Sequence, residues 1–174
     1  CKDNPVGINT DPNRVNYVTM GRLNKQKGQW HLIRAFQKVV KEFPNAHLYI
    51  MGEGELEQQL KDLISELHLE KSITMTGYIK NPHGIYSQCE VFVFPSLFEG
   101  LGNVLLEALA FDMPIISSDC EAGPREILAP NTDLLTKATD MELAEYGVLV
   151  PVCDGNHFNA ADPLTREEEC LANA

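Results

Sequence analysis

The sequence predicts an α/β domain built on a doubly wound parallel sheet with helices on both faces. Three observations support this prediction. Short apolar segments alternate with segments whose apolar residues recur at helical spacing. The strand segments are apolar throughout, which is typical of buried strands in parallel sheets. Glycine-containing loops follow the strand segments, so they should meet at the carboxyl edge of the sheet, where such sheets bind ligands.

The predicted elements follow one another as strand, loop and helix along most of the chain. The strand segments are short and apolar: residues 15–20, 46–51, 72–76, 91–94, 114–118 and 147–150. The helix segments carry apolar residues three or four positions apart: 29–43, 56–67, 85–88, 103–111, 125–128 and the tail 164–174. Pro44 ends the first helix, because proline lacks the amide hydrogen that a helix needs. Residues 130–146 are polar and irregular, with a further helix as their candidate element.

Composition indicates one globular domain and narrows the class of partner. The chain has 174 residues, of which 44% are hydrophobic and 22% charged, enough for a full core. Its formal net charge of -11 argues against nucleic acid as a partner and disfavours anionic membrane surfaces. No segment has the roughly 20 consecutive apolar residues of a transmembrane helix. The five cysteines form no CxxC pair, so a reducing compartment is the simplest setting.

Both ends of the chain suggest an excised domain. The sequence begins with the polar, turn-rich stretch CKDNPVGINTDPN, has no initiating methionine, and closes within the tail helix. We therefore expect residues 1–14 to be a lead or linker and residues 15–174 to be one domain of a larger protein.

The stretch between the fourth and fifth predicted strands combines a glycine-spaced loop with an apolar helix. Glu99 lies in the loop beside Gly100 and Gly102, and Glu107 is the only charge in the helix. Glycines let backbone amides approach a ligand, and the helix start near Asn103 offers free N–H groups, so an anion is expected there. Because a buried carboxylate needs a partner, Glu107 is expected to hydrogen-bond a hydroxyl-rich group. The alternative is a surface turn with one glutamate reaching water.

A basic loop after the first strand is the counterpart of this acidic stretch. Arg22 and Lys27 lie in that loop, whereas no lysine or arginine lies between Lys80 and Arg125, so cations for the acidic stretch must come from elsewhere. A guanidinium and an ammonium at this edge could hold a diphosphate. The alternative is a solvated basic turn. The loop is not a Walker motif, and the turn after the second strand lacks the third glycine of a dinucleotide fingerprint.

The remaining titratable residues show no catalytic or metal-binding pattern. The histidines are scattered and are predicted to be structural or exposed: His31, His47, His68, His83 and His157. Residues 167–169 are consecutive glutamates, interpreted as the solvated face or first turn of the tail helix. The chain has neither a GxSxG elbow nor an HExxH helix, so those hydrolase classes lack their residues. No metal site is predicted.

Several short motifs occur in an order and spacing that resembles a known family. They are Gly21-Arg22 with Lys27-Gly28, Gly52-Glu53-Gly54, Gly77-Tyr78, Pro95-Ser96, Glu99-Gly100-Leu101-Gly102 with Glu107, and Gly123-Pro124-Arg125-Glu126-Ile127. Over about residues 15–150 the chain resembles the carboxyl-terminal, donor-binding domain of a GT-B glycosyltransferase of family 4, the retaining kind. Glu99 and Glu107 match the E-x(7)-E element of that family. The resemblance implies a Rossmann-like sheet that forms one half of a GT-B fold.

The resemblance also implies a role for each matching residue. Arg22 and Lys27 would hold the diphosphate of a nucleotide-sugar donor and act as electrostatic catalysts, so that neither a metal nor another cofactor is needed. Glu99 would contact the donor sugar, and Glu107 the ribose hydroxyls. The other candidates would contact the phosphates, sugar or nucleobase: Gly21, Gly77, Gly100, Leu101, Gly102 and Asn103. Leu101 stands where an aromatic residue is common, which affects the shape of the sugar pocket.

The implied function is transfer of a sugar, with a UDP-sugar as the expected donor, to an acceptor hydroxyl in glycan or glycolipid biosynthesis. The saccharide or lipid-linked acceptor would bind an amino-terminal domain outside this chain, so the chain would be inactive alone, and its uncovered inter-domain face could pair with a second copy. The full-length enzyme would be cytoplasmic or peripheral at the inner membrane face.

Two alternatives stay open. A non-catalytic nucleotide-sugar-binding module is disfavoured by the intact Arg22, Lys27, Glu99 and Glu107, and another GT-B enzyme, such as a nucleotide-sugar epimerase, is disfavoured by the E-x(7)-E element.

Overall fold

The structure, a computed structural model, describes residues 10–156 and 159–174, so Cys1, His157 and most of the predicted lead lie outside the described residues. Within these ranges the chain forms one sheet of seven strands: Val15–Met20 (β1), Ala46–Met51 (β2), Ile73–Gly77 (β3), Val91–Phe94 (β4), Ile115–Ser118 (β5), Glu142–Ala144 (β6) and Gly147–Val150 (β7). Every pairing is parallel except that of β6 with β7.

Six α-helices cover the two faces of this sheet in the described part of the chain: Gln29–Glu42 (α1), Glu57–Glu66 (α2), His83–Tyr86 (α3), Asn103–Ala110 (α4), Pro124–Leu128 (α5) and Arg166–Asn173 (α6). Helices α1, α2 and α6 pack on one face around Trp30 and Leu60, and α3, α4 and α5 pack on the other around Tyr86 and Leu105. All six residues of β2 are buried, as both of its faces are covered. The predicted doubly wound sheet is confirmed. None of the helices within residues 10–156 and 159–174 has the length and apolar character to cross a membrane.

The strand order places a switch point in the middle of the sheet. The order is β3-β2-β1-β4-β5-β7-β6, so the chain adds β2 and β3 on one side of β1 and then returns to add β4 on the other. Neighbouring connections that leave a parallel sheet toward opposite faces open a crevice at the carboxyl ends of the strands. The loops that follow β1 and β4 border this crevice.

The prediction of a helix within residues 130–146 is wrong. No helix forms in this fully described segment, and Glu142–Ala144 adds instead as the antiparallel edge strand β6. The carboxylate of Glu142 accepts hydrogen bonds at 3.0 and 2.8 Å from the buried guanidinium of Arg125 in α5. This contact fixes a segment too polar and too short to show a strand pattern in the sequence.

The acidic start of α6 is only partly as predicted. Residues 167–169 do form the first turn, where Thr165 accepts a hydrogen bond from the Glu168 amide at 3.2 Å and Glu168 accepts one from the Thr165 amide at 2.9 Å. The expectation of a solvated face is wrong for Glu168, however, because its side chain is fully buried against α1.

Candidate functional site

The candidate residues lie on loops at the carboxyl edge of the sheet, beside the switch point. Residues 21–28, here called the basic loop, follow β1, and residues 95–102, the acidic loop, follow β4. Gly77 ends β3 at the same edge. Because β1, β3 and β4 are parallel, the loops that follow them emerge at the same edge of the sheet.

Direct contacts join the basic loop to the acidic loop. The Leu97 amide donates a hydrogen bond to the carbonyl oxygen of Gln26 at 2.8 Å, and Nε2 of Gln26 donates to the carbonyl oxygen of Phe98 at 3.0 Å. Gly28 has a left-handed φ of 59°, and a Cβ there would lie 2.4 Å from the carbonyl oxygen of Pro95. Glycine is required at this position, because any side chain would force the two loops apart.

Lys27 and Glu99 meet where the two loops touch. Nζ of Lys27 donates to Oε1 of Glu99 at 2.5 Å, and the two side chains are only 18% and 7% exposed. The ammonium lies 5.4 Å from the centre of the Phe94 ring, and the Lys27 methylene groups lie about 3.2 Å from where a Cβ on Gly21 would stand. A cation from the basic loop therefore reaches the acidic loop, which has none of its own.

Arg22 takes a different partner. Its side chain is 72% exposed, and its NH2 group lies 3.5 Å from Oε2 of Glu55, in the turn after β2. An exposed ion pair of this kind is worth only about 0 to 1 kcal/mol. The two candidate cations therefore have different partners in the structure, Glu55 for the exposed Arg22 and Glu99 for Lys27.

The start of α4 is uncapped and open to ligands. Gly102 is the N-cap residue with a left-handed φ of 74°, no side chain caps the helix, and Asn103 is exposed. The first amides of a helix have no intrahelical acceptor and favour anions. Gly100 differs from the neighbouring glycines, since a Cβ there would meet no atom within 4 Å and its φ is not left-handed. The fold itself thus does not require glycine at position 100.

Glu107 lies on the exposed side of α4, so the expectation that it is buried is wrong. Leu105 and Ala108 are the buried residues of this helix, whereas Leu106 and Glu107 are exposed. An exposed carboxylate remains hydrated and does not require a protein partner. Glu107 follows Asn103 by about one helical turn, which keeps it close to the same edge of the sheet.

A cleft of about 420 Å³ opens beside the ends of β1, β2 and β3. Its lining residues are Met20, Gly21, Arg22, Met51, Gly52, Glu53, Tyr78 and Ile79. Tyr78 is 70% exposed, and its amide donates a hydrogen bond to Oε1 of Glu53 at 3.4 Å. Methionine and tyrosine side chains offer polarizable, apolar surfaces that suit a planar heterocycle.

The structure contains an ionic network of Arg125, Asp119 and Glu142 that the sequence analysis did not predict. NH2 of Arg125 lies 2.7 Å from Oδ2 of Asp119 and 2.8 Å from Oε2 of Glu142. Hydrogen bonding to Glu142 raises the pKa of Arg125, and the same contact lowers the pKa of Glu142. Next to it, Gly123 has a φ of 96°, and a Cβ there would lie 2.1 Å from the carbonyl oxygen of Leu101. The network holds the loop after β5 against the acidic loop; an aspartate directly after a buried strand was its signal in the sequence.

A doubly wound parallel sheet, with loops paired across its switch point, defines the class of Rossmann-like domains that bind ligands at the carboxyl edge of the sheet. The chain belongs to the family of glycosyl transferases group 1, whose sequence model matches residues 2–148. The resemblance found in the sequence motifs is therefore confirmed.

Relatives and solved structures agree with this assignment. An uncharacterized glycosyltransferase of Methanocaldococcus jannaschii is 42% identical over 161 residues, which cover 90% of this chain and 39% of the relative. The N-acetylgalactosamine-N,N'-diacetylbacillosaminyl-diphospho-undecaprenol 4-alpha-N-acetylgalactosaminyltransferase of Campylobacter jejuni is 35% identical over 157 residues, with the same coverage of 90% and 39%. The chain thus spans 39% of the length of both relatives. The pneumococcal O-GlcNAc transferase GtfA, in complex with UDP and GlcNAc, matches 92% of this chain and 28% of its own with a TM-score of 0.71 at 24% identity, which confirms the GT-B type of fold.

Proposed function

We propose that residues 15–174 form the donor-binding domain of a retaining glycosyltransferase, which transfers a sugar from a UDP-sugar to an acceptor hydroxyl in glycan or glycolipid biosynthesis. The contact between Lys27 and Glu99 carries this proposal, because it joins a cation and a carboxylate from loops 72 positions apart beside an uncapped helix start. A nucleotide-sugar presents the complementary groups: a diphosphate for the cation and the amides, and hydroxyls for the carboxylate.

The basic loop and the start of α4 would bind the diphosphate. Lys27 and Arg22 supply positive charge, and the amides of residues 100–103 supply hydrogen-bond donors. Negative charge grows on the diphosphate as the bond to the sugar breaks, so these groups stabilise the transition state more than the ground state. Two cations can supply the charge that a divalent ion supplies in other transferases, and the proposed reaction is therefore metal-independent.

The remaining candidate residues would each contact a different part of the donor. Glu99 would accept hydrogen bonds from hydroxyls of the sugar, and Glu107 from those of the ribose. The cleft beside Gly21, Gly77 and Tyr78 would take the nucleobase, and its methionine and tyrosine surfaces suit a ring of that size. Leu101 would border the sugar pocket.

The relatives support the chemical class of donor and acceptor. The GtfA structure contains UDP and GlcNAc, which favours a UDP-sugar here. The name of the Campylobacter jejuni relative specifies an α-linkage and a diphospho-undecaprenol acceptor. An α-linked product formed from an α-linked donor requires retention at the anomeric carbon, and a lipid-linked acceptor is consistent with a cytoplasmic enzyme peripheral at the inner membrane face.

The acceptor is proposed to bind outside this chain. The chain spans 39% of the length of the Methanocaldococcus jannaschii and Campylobacter jejuni relatives, and the predicted catalytic residues here all concern the donor. We expect the 174-residue chain to bind donor without turnover, and its open carboxyl edge to be the face that meets the acceptor-binding domain or a second copy.

Calorimetric titration with UDP, GDP and ADP, in the absence of divalent metal, tests the proposal. We expect UDP to bind selectively and addition of Mg²⁺ to leave its affinity unchanged. Binding of GDP in preference to UDP would correct the donor class. Absence of binding by all three nucleotides, in a chain shown to be folded by circular dichroism, would contradict the assignment of this edge as a self-sufficient donor site.

A further inference from the structure

We propose that the Lys27–Glu99 pair is the resting state of the donor site, which a nucleotide-sugar opens and which forms again when only the nucleoside diphosphate remains. This inference rests on the proposed function. It gives Glu99 a second role, in which its carboxylate competes with the diphosphate for Lys27 and so favours the donor over the product of the reaction.

The pair is built into the fold rather than formed by two mobile side chains. The Glu99 side chain is almost completely buried and the Lys27 side chain is mostly buried, with 2.5 Å between Nζ and Oε1. The aliphatic part of Lys27 lies against the backbone of Gly21, and its ammonium lies over the Phe94 ring. Screening by water is weak at such a site, so the attraction is stronger than in an exposed pair such as Lys61–Glu57.

A diphosphate cannot reach Lys27 without disturbing this pair. The ammonium has three N–H groups and could in principle contact phosphate and carboxylate together. That arrangement would place a phosphate close to the shielded carboxylate of Glu99, and like charges in a weakly screened site repel strongly. Binding of the diphosphate therefore requires Glu99 to release Lys27 and to find another hydrogen-bond donor.

The sugar supplies that donor and the free nucleoside diphosphate does not. Hydroxyl groups of a bound sugar can donate to Glu99 and replace the lost contact with Lys27. After transfer, UDP has no hydroxyls at this position and carries an additional charge on its terminal phosphate. Glu99 then recaptures Lys27, which weakens the hold on UDP and promotes its release.

Arg22 provides an internal contrast. Its ion pair with Glu55 is longer, at 3.5 Å, and both side chains are mostly exposed. Such a pair is readily separated by any anion. We therefore assign the discrimination between donor and product to Lys27 and Glu99, and not to Arg22.

The test is a double-mutant cycle read by calorimetry, with UDP and UDP-GlcNAc as probes. The variants are Glu99→Gln, Lys27→Met and the two combined, with Glu57→Gln as the control, because it removes the same charge from the exposed pair with Lys61 on α2. Circular dichroism verifies folding, and Glu99→Ala serves as a second neutral variant. We expect Glu99→Gln to tighten UDP binding about fivefold without tightening that of UDP-GlcNAc. In the Lys27→Met background the same change should alter UDP affinity less than about twofold.

The outcomes separate this inference from the proposed function. If UDP binds the parent in a Lys27-dependent manner but Glu99→Gln leaves its affinity unchanged or lower, the resting pair is wrong and the donor site stands. Equal tightening with and without Lys27 would instead show direct repulsion by Glu99 and overturn the competition for Lys27. Failure of both probes to bind the parent and Glu99→Gln would overturn the resting pair and the proposed function together.

Discussion

The Glu168 carboxylate on α6 accepts a hydrogen bond from Nε of Arg34 on α1 at 2.8 Å, with both side chains buried. The same oxygen lies 2.8 Å from Nδ1 of His31, whose Nε2 accepts a hydrogen bond from the Gly155 amide at 3.2 Å. Because the Gly155 N–H can only donate, Nδ1 of His31 carries the hydrogen and donates to Glu168. Gly155 in turn packs against Leu97 of the acidic loop. One buried carboxylate thus links the last helix to α1 and, through His31 and Gly155, to the acidic loop.

Replacement of Glu168 by alanine should strongly destabilise the fold. The change leaves the buried Arg34 guanidinium without its carboxylate, and an uncompensated buried charge costs about 3 to 5 kcal/mol. Urea unfolding followed by circular dichroism measures the loss. Glu66→Ala, an exposed glutamate on α2, is the control and should change the free energy of unfolding by less than about 0.5 kcal/mol. A similar small change in Glu168→Ala would contradict the structural role of the network.

The pH dependence of stability should report the same carboxylate. Burial alone would raise the pKa of Glu168, but the hydrogen bonds from His31 and Arg34 outweigh it and lower the pKa below its usual value of 4.5. A lowered folded-state pKa means that the carboxylate stabilises the fold above about pH 4.5 and that this contribution is lost as the pH falls below it. Between about pH 5 and 3, the parent should therefore lose more unfolding free energy than Glu168→Gln. Parallel pH profiles of the two proteins would argue against this assignment.

The order of most elements and the loops of the candidate site could be predicted from the sequence, but the contacts between distant residues could not. Apolar runs and glycine spacing sufficed to predict six of the seven strands that the described residues form, and to predict that Lys27 and Glu99 lie at one edge of the sheet. Three consecutive glutamates do not indicate which one faces a neighbouring helix, so Glu168 was interpreted as solvated. Glu107 was expected to be buried because apolar residues occur on all sides of α4 in the sequence. In the structure, only Leu105 and Ala108 of this helix are buried in the core. Strand β6 was not predicted, because a strand of three residues at the edge of a sheet needs no periodic pattern of apolar residues.

Substitution by alanine should have different effects at two glycines of the candidate site, reducing stability at one and UDP binding at the other. Gly123→Ala should reduce stability by at least about 1 kcal/mol, since the new Cβ would meet the carbonyl oxygen of Leu101 in a left-handed conformation. Gly100→Ala should leave the melting temperature unchanged, because its Cβ meets nothing, and should weaken UDP binding by obstructing the backbone amides. Thermal melts and calorimetry on both variants test the pair. If Gly100→Ala binds UDP as the parent does, no ligand approaches that backbone closely.

Removal of either predicted phosphate-binding cation should weaken nucleotide binding. Lys27→Ala and Arg22→Ala are each expected to reduce the binding free energy of UDP-GlcNAc by at least about 1 kcal/mol, the size of a charge-assisted hydrogen bond. Lys61→Ala on α2 removes an exposed lysine away from the site and should leave binding unchanged. Calorimetry at constant ionic strength gives the three values. Parent-like affinity in both Lys27→Ala and Arg22→Ala would exclude the phosphate assignment.

The exposed Glu107 should recognise ribose without supporting the fold. If its carboxylate accepts a hydrogen bond from the ribose, the parent should bind UDP about tenfold more tightly than 2'-deoxy-UDP, since a hydrogen bond to a charged group is lost with the hydroxyl. Glu107→Gln should reduce this ratio by weakening UDP binding while 2'-deoxy-UDP is little affected. Its melting temperature should match the parent, because Glu107 is hydrated on the outer side of α4. Glu126→Gln, an exposed glutamate on the neighbouring α5, is the matched control and should retain the full preference. Equal affinity of the parent for the two nucleotides would remove Glu107 from the ribose site and leave the E-x(7)-E spacing without a role for its second carboxylate.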